Sequence, residues 1–127
     1  ADLAYASGEA AGGESDEMQV DSWLARAVNM QRARLGGRNF EYFSEDPVVS
    51  GICGTAIVRG CEENSRATCC PKHFALNEQE TYRRGKTIHG VDAVNSIVEE
   101  RAAREVYLRP FEMIVRNSKG SYLHVVL

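Results

Sequence analysis

Apolar residues fall along this chain in two alternating styles, short dense runs and longer helical stripes. Residues 1–18 mix alanine with glutamate and predict a helix, weakened by Gly8, Gly12 and Gly13. Residues 20–30 hold Trp23, Leu24, Ala27, Val28 and Met30, a compact apolar stretch that suits a buried strand. Residues 31–46 are polar and glycine-bearing, a loop with Arg32, Arg34 and Arg38 close together. Ser44-Glu45-Asp46-Pro47 is a helix start, because Ser or Asp can cap and proline is tolerated at the first helical position. From there Val48, Ile52 and Ala56, with Val49, Cys53, Ile57 and Cys61, recur every fourth residue. That spacing predicts the apolar stripe of an amphipathic helix ending between residues 60 and 64.

Residues 67–76 (ATCCPKHFAL) form a second short apolar run and predict a strand, interrupted near its far end by Pro71. Residues 77–90 read as a long polar connection. A second helix is predicted over 92–117, with Val94, Ile97, Val98, Ala102, Val106 and Tyr107 on one side and a break or kink at Pro110. Residues 121–127 (SYLHVVL) predict a third strand. The order is helix, strand, helix, strand, helix, strand. Strands joined through helices of this length run parallel with right-handed crossovers, so the expected class is α/β. Three strands cannot close a barrel, and a complete (β/α)8 barrel takes about 250 residues. The chain is therefore expected to be either a small open sheet or a part of something larger.

Composition narrows the function classes. At 127 residues one domain is expected. A net charge of −3 argues against a protein that grips nucleic acid by bulk positive charge. The longest apolar run is the four residues from Leu3 to Ala6, so neither a membrane span nor a secretory segment is expected. Cys53, Cys61, Cys69 and Cys70 contain no C-x-x-C, and two adjacent cysteines do not easily take two corners of a tetrahedron. They read as small buried hydrophobes of a reduced, cytoplasmic protein, with no metal and no cofactor expected.

In parallel α/β folds ligands sit beyond the carboxyl ends of the strands. Two clusters fall there: residues 31–41, with Arg38 behind the pair Gly36-Gly37, and Lys72-His73-Phe74, followed by Asn77, Glu78 and Glu80. Paired glycines let the backbone turn sharply, and Glu41, three residues on, can hold the Arg38 guanidinium through paired hydrogen bonds. Lys72 and His73 are neighbours on an extended segment and should face opposite ways unless Pro71 distorts it. Arginine, lysine and histidine supply donors of different reach, as a polyhydroxylated ligand requires. The competing readings are a solvated surface turn for the arginines and a strand end emerging into water for Lys72-His73.

The stretch from Leu35 through Gly36-Gly37-Arg38-Asn39-Phe40-Glu41 to Pro47 resembles the loop after the third barrel strand of the family 3 glycoside hydrolases, the β-glucosidase family. Lys72-His73-Phe74-Ala75-Leu76-Asn77-Glu78-Gln79-Glu80 is similar to that family's Lys-His-Phe motif at the next strand. Residues 100–112 resemble its following helix, and residues 8–23 the helix before the third strand. The resemblance covers essentially the whole chain. It implies a partial (β/α)8 TIM-like barrel, residues 1–127 forming one segment from the centre of the N-terminal barrel domain.

By the same resemblance Arg38, Lys72 and His73 are substrate-binding residues that hydrogen-bond the sugar hydroxyls where cleavage occurs. The family's mechanism is retaining: one carboxylate attacks the anomeric carbon while a second carboxyl group protonates the leaving oxygen. Its nucleophile and acid/base lie beyond later strands, so neither is expected here, and the chain alone is expected to be inactive or nearly so. Glu41, Glu45, Asp46, Glu78 and Glu80 could substitute on paper, but Glu45 and Asp46 suit a first helical turn and Glu78 and Glu80 suit ion pairs with Arg83 or Arg84. The chain departs from the family at Arg26 and Arg34, where prolines are common, and at Gln31, often a histidine. Expected partners are a β-glucoside or oligosaccharide, and a second copy or complementary barrel segment to cover the open sheet edges, with neither nucleic acid nor membrane. The alternative is a non-catalytic sugar-binding or self-associating half-barrel.

Overall fold

The computed structural model describes residues 1–83, 94–118 and the backbone of 124–125. Among the described residues the elements follow in the order α1 (Asp2–Glu17), β1 (Ser22–Trp23), α2 (Pro47–Asn64), β2 (Thr68–Cys69), β3 (Lys72–Phe74), α3 (Glu100–Ala102), α4 (Arg109–Asn117) and β4 (His124–Val125). The strand pairs are parallel, β1 with β2 and β3 with β4, and an isolated parallel bridge joins Ala27 to Lys72. The α/β character and the parallel sense agree with the sequence reading. Among the described residues no helix is long and apolar enough to cross a membrane.

The two long helices start and stop for local reasons. Asp46 caps α2, its Oδ1 accepting from the N–H groups of Val48 (2.7 Å) and Val49 (3.2 Å), with Pro47 at the first helical position. Helix α1 closes with Val20 N–H donating to Ser15 C=O (2.8 Å) and Gln19 N–H donating to Asp16 C=O (3.2 Å). This is the paired-bond termination that usually takes glycine at its left-handed position, here filled by Gln19 at φ 57°.

Helices α1 and α2 meet backbone to backbone. A Cβ on Gly8 would lie 2.1 Å from the Ile57 carbonyl oxygen, and one on Gly60 2.1 Å from that of Tyr5. Gly8 and Gly12, which weaken α1 as an isolated helix, are thus what lets α2 approach it. On its inner side α2 supplies Val58 and Cys61 to a core completed by Val28, Ala67, Cys69, Phe111 and Ile114, with Trp23, Phe43 and Phe74 packed against it. Phe74 and Phe111 meet edge to face at 5.2 Å between ring centres.

Several expectations are corrected. The stripe predicted for α2 holds at Ile57 and Cys61, which are buried, and is turned in the first half: Val48, Val49 and Ile52 are 44–47% exposed, while Ser50, Gly51 and Gly54 are buried, as is Val58 further on. The cause is steric, because Gly51 admits the Met113 side chain and Gly54 admits Val28 and Ile114. The strand predicted over 20–30 shrinks to Ser22–Trp23 and the bridge at Ala27, although Ala25 to Met30 are largely buried. Pro71 splits the strand predicted over 67–76 in its middle, leaving β2 and β3 in different sheets. The helix predicted over 92–117 is not helical at 94–99. It begins at Glu100, widens into a π-helical turn at Ala103–Tyr107, and resumes as α4 with Pro110 in its first turn. The proposed start of that helix, most of the polar connection after Arg83 and most of the last strand lie outside the described residues.

All four cysteines carry free thiols; Cys61, Cys69 and Cys70 are buried, and Cys53 is partly exposed. Burial, with Cys61 alongside, pushes the Cys69 thiol far above its ordinary value. Among the described residues no group of three or more histidine, cysteine or acidic side chains is arranged to hold a metal ion.

Candidate functional site

The site forms where the chain leaving β1 runs beside β3. Val28 N–H donates to Lys72 C=O (2.8 Å) and Lys72 N–H to Arg26 C=O (3.1 Å). One residue further the ladder changes character, and the Asn29 side chain replaces the backbone as partner. Its Oδ1 accepts from His73 N–H (2.8 Å), and its Nδ2 donates to His73 C=O (3.0 Å). Lys72 and His73, joined by a cis peptide bond, are held there at the end of the sheet.

The loop that follows carries Arg38 to the same place. Gln31 Nε2 donates to the carbonyls of Asn39 and Tyr42, both at 3.1 Å, and Asn39 Nδ2 donates to Ala33 C=O (2.6 Å). These bonds fold residues 31–42 around the 3₁₀ turn at Asn39–Glu41. The glycine pair works differently from expectation. Neither Gly36 nor Gly37 lies in the left-handed region; a Cβ on Gly36 would lie 2.7 Å from Asn39 Oδ1, so that glycine serves close approach.

Arg38, Lys72 and His73 converge on one another. The Arg38 guanidinium hydrogen-bonds Glu41 through Nε and reaches His73 Nε2 through Nη2, and its Nη1 lies 3.7 Å from Glu80 Oε1. The other oxygen of Glu41 pairs with Lys72 Nζ at 3.3 Å. One carboxylate therefore spans both cations. Lys72 and His73 do not face opposite ways; their side chains engage the two ends of the same Arg38–Glu41 pair. His73 is buried, with Tyr42 edge-on at 6.5 Å, and Tyr42 donates its hydroxyl to Asn77 C=O (2.8 Å).

The electrostatics follow the contacts. Burial works against the Glu41 charge, but Arg38 and Lys72 outweigh it and hold the carboxyl below its ordinary range. Burial likewise opposes the Arg38 charge, and the Glu41 hydrogen bond and charge overcome it, so the guanidinium stays protonated beyond its usual limit. Burial also pushes the Tyr42 hydroxyl up to about 12. Glu78 is the exception: burial raises its carboxyl despite bonds from Met30 N–H and Asn29 and the nearby Arg32.

Four of the five carboxylates considered as catalytic substitutes are held by structural partners. Glu41 bridges the two cations, Asp46 caps α2, and Glu80 pairs with Arg83 at 2.8 Å. Glu78 departs from expectation: it accepts from Met30 N–H (3.2 Å) and Asn29 Nδ2 (3.3 Å). Glu78 and Glu80 also lie on the wall of a cavity of about 740 Å³ beside the cluster, with Arg32, Gly37, Leu76 and Tyr107. Arg38, Lys72 and His73 do not line that cavity; Arg38 adjoins its wall at Glu80. Arg32 packs over the Tyr107 ring at 5.6 Å, and Arg26, at a common proline position of the family it resembles, packs over Phe43 at 5.6 Å.

Asn29 was missed by sequence reading. Its only signal was a lone amide inside an apolar run, where a polar side chain must find partners if the run is buried.

No family model matches the chain. Curated relatives do. It is 45% identical over 115 residues to β-glucosidase A of Butyrivibrio fibrisolvens, covering 91% of this chain and 13% of that protein. It is 42% identical over 122 residues to a probable β-glucosidase H of Emericella nidulans, covering 96% of this chain and 14% of the relative. Among solved structures, β-glucosidase 3B of Thermotoga neapolitana in complex with α-D-glucose superposes with a TM-score of 0.82 at 43% identity, over 97% of this chain and 17% of that one. The GH3 β-glucosidase of Bifidobacterium adolescentis gives a TM-score of 0.82 at 36% identity, over 97% of this chain and 18% of that one. The chain thus spans about one seventh of the length of the curated relatives it matches.

Proposed function

Because this chain is homologous, along nearly all of its own length, to one segment of the glycoside hydrolase family 3 β-glucosidases, we propose that it is a structural and sugar-binding part of such an enzyme. Residues 1–127 form one segment from the centre of an N-terminal (β/α) barrel domain, and the parallel pairing of β1 with β2 and β3 with β4 is consistent with that place. The parent activity is retaining hydrolysis of O-glycosidic bonds in β-glucosides. In this reading the attacking carboxylate and the acid/base come from outside these residues, and Arg38, Lys72 and His73 bind the hydroxyls of the sugar being cleaved. The observation that carries the proposal is their convergence on the Arg38–Glu41 pair. An ammonium, a guanidinium and an imidazole at one strand end can meet vicinal hydroxyls from three directions. The occupation of Glu41, Asp46, Glu78 and Glu80 by structural partners supports placing the reacting carboxylates elsewhere.

Glucose titration of the isotope-labelled chain tests this directly. Resonances of Lys72, His73 and Arg38 should shift together. Lys72→Ala or Arg38→Ala should each weaken binding about tenfold or more, the worth of a charge-assisted hydrogen bond. Binding that survives both substitutions, or aryl β-glucoside turnover that does so, would move the sugar site away from this cluster.

A second reading concerns association. Leu35, Phe40 and Ile97 are 97%, 85% and 90% exposed, and both described sheets have only two strands. Such edges and apolar side chains favour a second copy or a complementary barrel segment. Light scattering should show self-association that rises with concentration; a monodisperse monomer throughout would refute it.

A further inference from the structure

The imidazole of His73 has two nitrogens, and the structure gives each a different kind of partner. Nδ1 lies 3.1 Å from Asn29 Oδ1, which also accepts from His73 N–H. That oxygen can only accept, so the proton belongs on Nδ1. Nε2 faces Arg38 Nη2, which can only donate, so Nε2 is the acceptor. The orientation of the Asn29 amide is itself fixed. Its Nδ2 gives one bond to His73 C=O (3.0 Å) and one to Glu78 Oε1 (3.3 Å), and both are acceptors. A flipped amide would set oxygen against oxygen at both contacts. Glu78 is held in turn by Met30 N–H (3.2 Å). The side-chain bonds run from His73 Nδ1–H to Asn29 Oδ1 and from Asn29 Nδ2 to Glu78 Oε1, with a second Asn29 Nδ2 bond returning to the His73 carbonyl.

We infer that Asn29, oriented by Glu78, is a positioning residue that fixes His73 in its Nδ1–H form, so that whatever group meets Nε2, Arg38 or a ligand in its place, must donate to it. The tautomer stands on the contacts alone; its bearing on a sugar rests on the function proposed above. There the consequence is selectivity. Lys72 and Arg38 can only donate, and His73 can only accept, so the site discriminates by the direction of hydrogen bonds. A hydroxyl can receive from a cation and take the place of Arg38 Nη2 as donor to Nε2, whereas a ligand oxygen without a proton, such as an ether, cannot.

The test is long-range ¹⁵N–¹H correlation of the labelled 127-residue chain at about pH 8, above the ordinary imidazole range, with His73 identified by its loss in His73→Gln. The expected signature is a protonated Nδ1 and a bare Nε2. Asn29→Ala should lower the ratio of Nδ1–H to Nε2–H about fivefold, the worth of one hydrogen bond. A wild-type His73 protonated on Nε2 overturns the inference outright, whether or not any variant folds. So does a folded Asn29→Ala that keeps the native tautomer, since Arg38 would then suffice. Glucose separates the two claims: the expected tautomer with no glucose response at Lys72 or His73 refutes the sugar reading and leaves the role of Asn29 standing.

Discussion

Replacing Gly8 by alanine should destabilise this protein, although helix propensity alone says the reverse. In an isolated helix Gly→Ala gains about 1 kcal/mol. At Gly8 the added Cβ would lie 2.1 Å from the carbonyl oxygen of Ile57 and 2.8 Å from its carbonyl carbon. Both are backbone atoms of α2, so no side chain can rotate out of the way. The helices must separate by roughly an ångström, which also loosens the reciprocal contact at Gly60 and Tyr5. Overpacking of this kind costs about 1–3 kcal/mol, and a clash with rigid backbone belongs at or above the top of that range. The net effect is a loss of about 2 kcal/mol. Gly13, in the same helix, is the control: a Cβ there meets nothing within 4 Å, so Gly13→Ala should gain the full propensity term of about 1 kcal/mol. The two substitutions should therefore differ by about 3 kcal/mol in urea unfolding followed by circular dichroism, with unchanged slope. If Gly8→Ala matched or exceeded wild type, the backbone-to-backbone seam would be wrong.

Further outcomes follow from the same structure. Asp46→Ala should cost about 1 kcal/mol in the same assay and Asp46→Asn almost nothing, because either side chain can accept from Val48 and Val49. Gln19→Gly should stabilise by about 1 kcal/mol, since it removes a side chain from a left-handed position at φ 57°. Two carboxyls should give opposite pH signatures. Glu41 is depressed in the folded state, so its contribution is present above its unfolded value and is lost as pH falls through its folded one; Glu41→Gln should flatten that acid limb of the stability curve. Glu78 is raised, so the folded state binds its proton more tightly and gains stability as pH falls; Glu78→Gln should stabilise most above the folded value of Glu78, with that advantage shrinking in acid. Unfolding curves measured across pH check both signs.

The elements that could be read from sequence are those with local causes. Asp46-Pro47 announces α2 because a cap and a proline act within one turn. The parallel sense followed from connection length alone. The turn of the stripe in the first half of α2 could not be read, because glycine carries no hydropathy signal and it is Gly51 and Gly54 that face the core. The strand after Val20 was overlong for a related reason: burial of Asn29 and Met30 is satisfied by the side chains of Asn29 and Glu78, which no periodicity reports. Arg38, Lys72 and His73 stood out through the resemblance, and Glu41 through its spacing from Arg38. Glu78 was assigned to an ion pair because its true partners lie some forty-eight residues away.

The arrangement around Glu41 has an electrical consequence. Arg38 and Lys72 share that carboxylate, while Glu80 stands between Arg38 and Arg83. Positive and negative groups interleave at separations of a few ångströms, so their fields largely cancel a short distance outward. Such a surface exerts little pull on approaching anions and has little counterion atmosphere to shed. What it can distinguish is the placement of dipoles in contact with it, a discrimination that added salt leaves almost untouched.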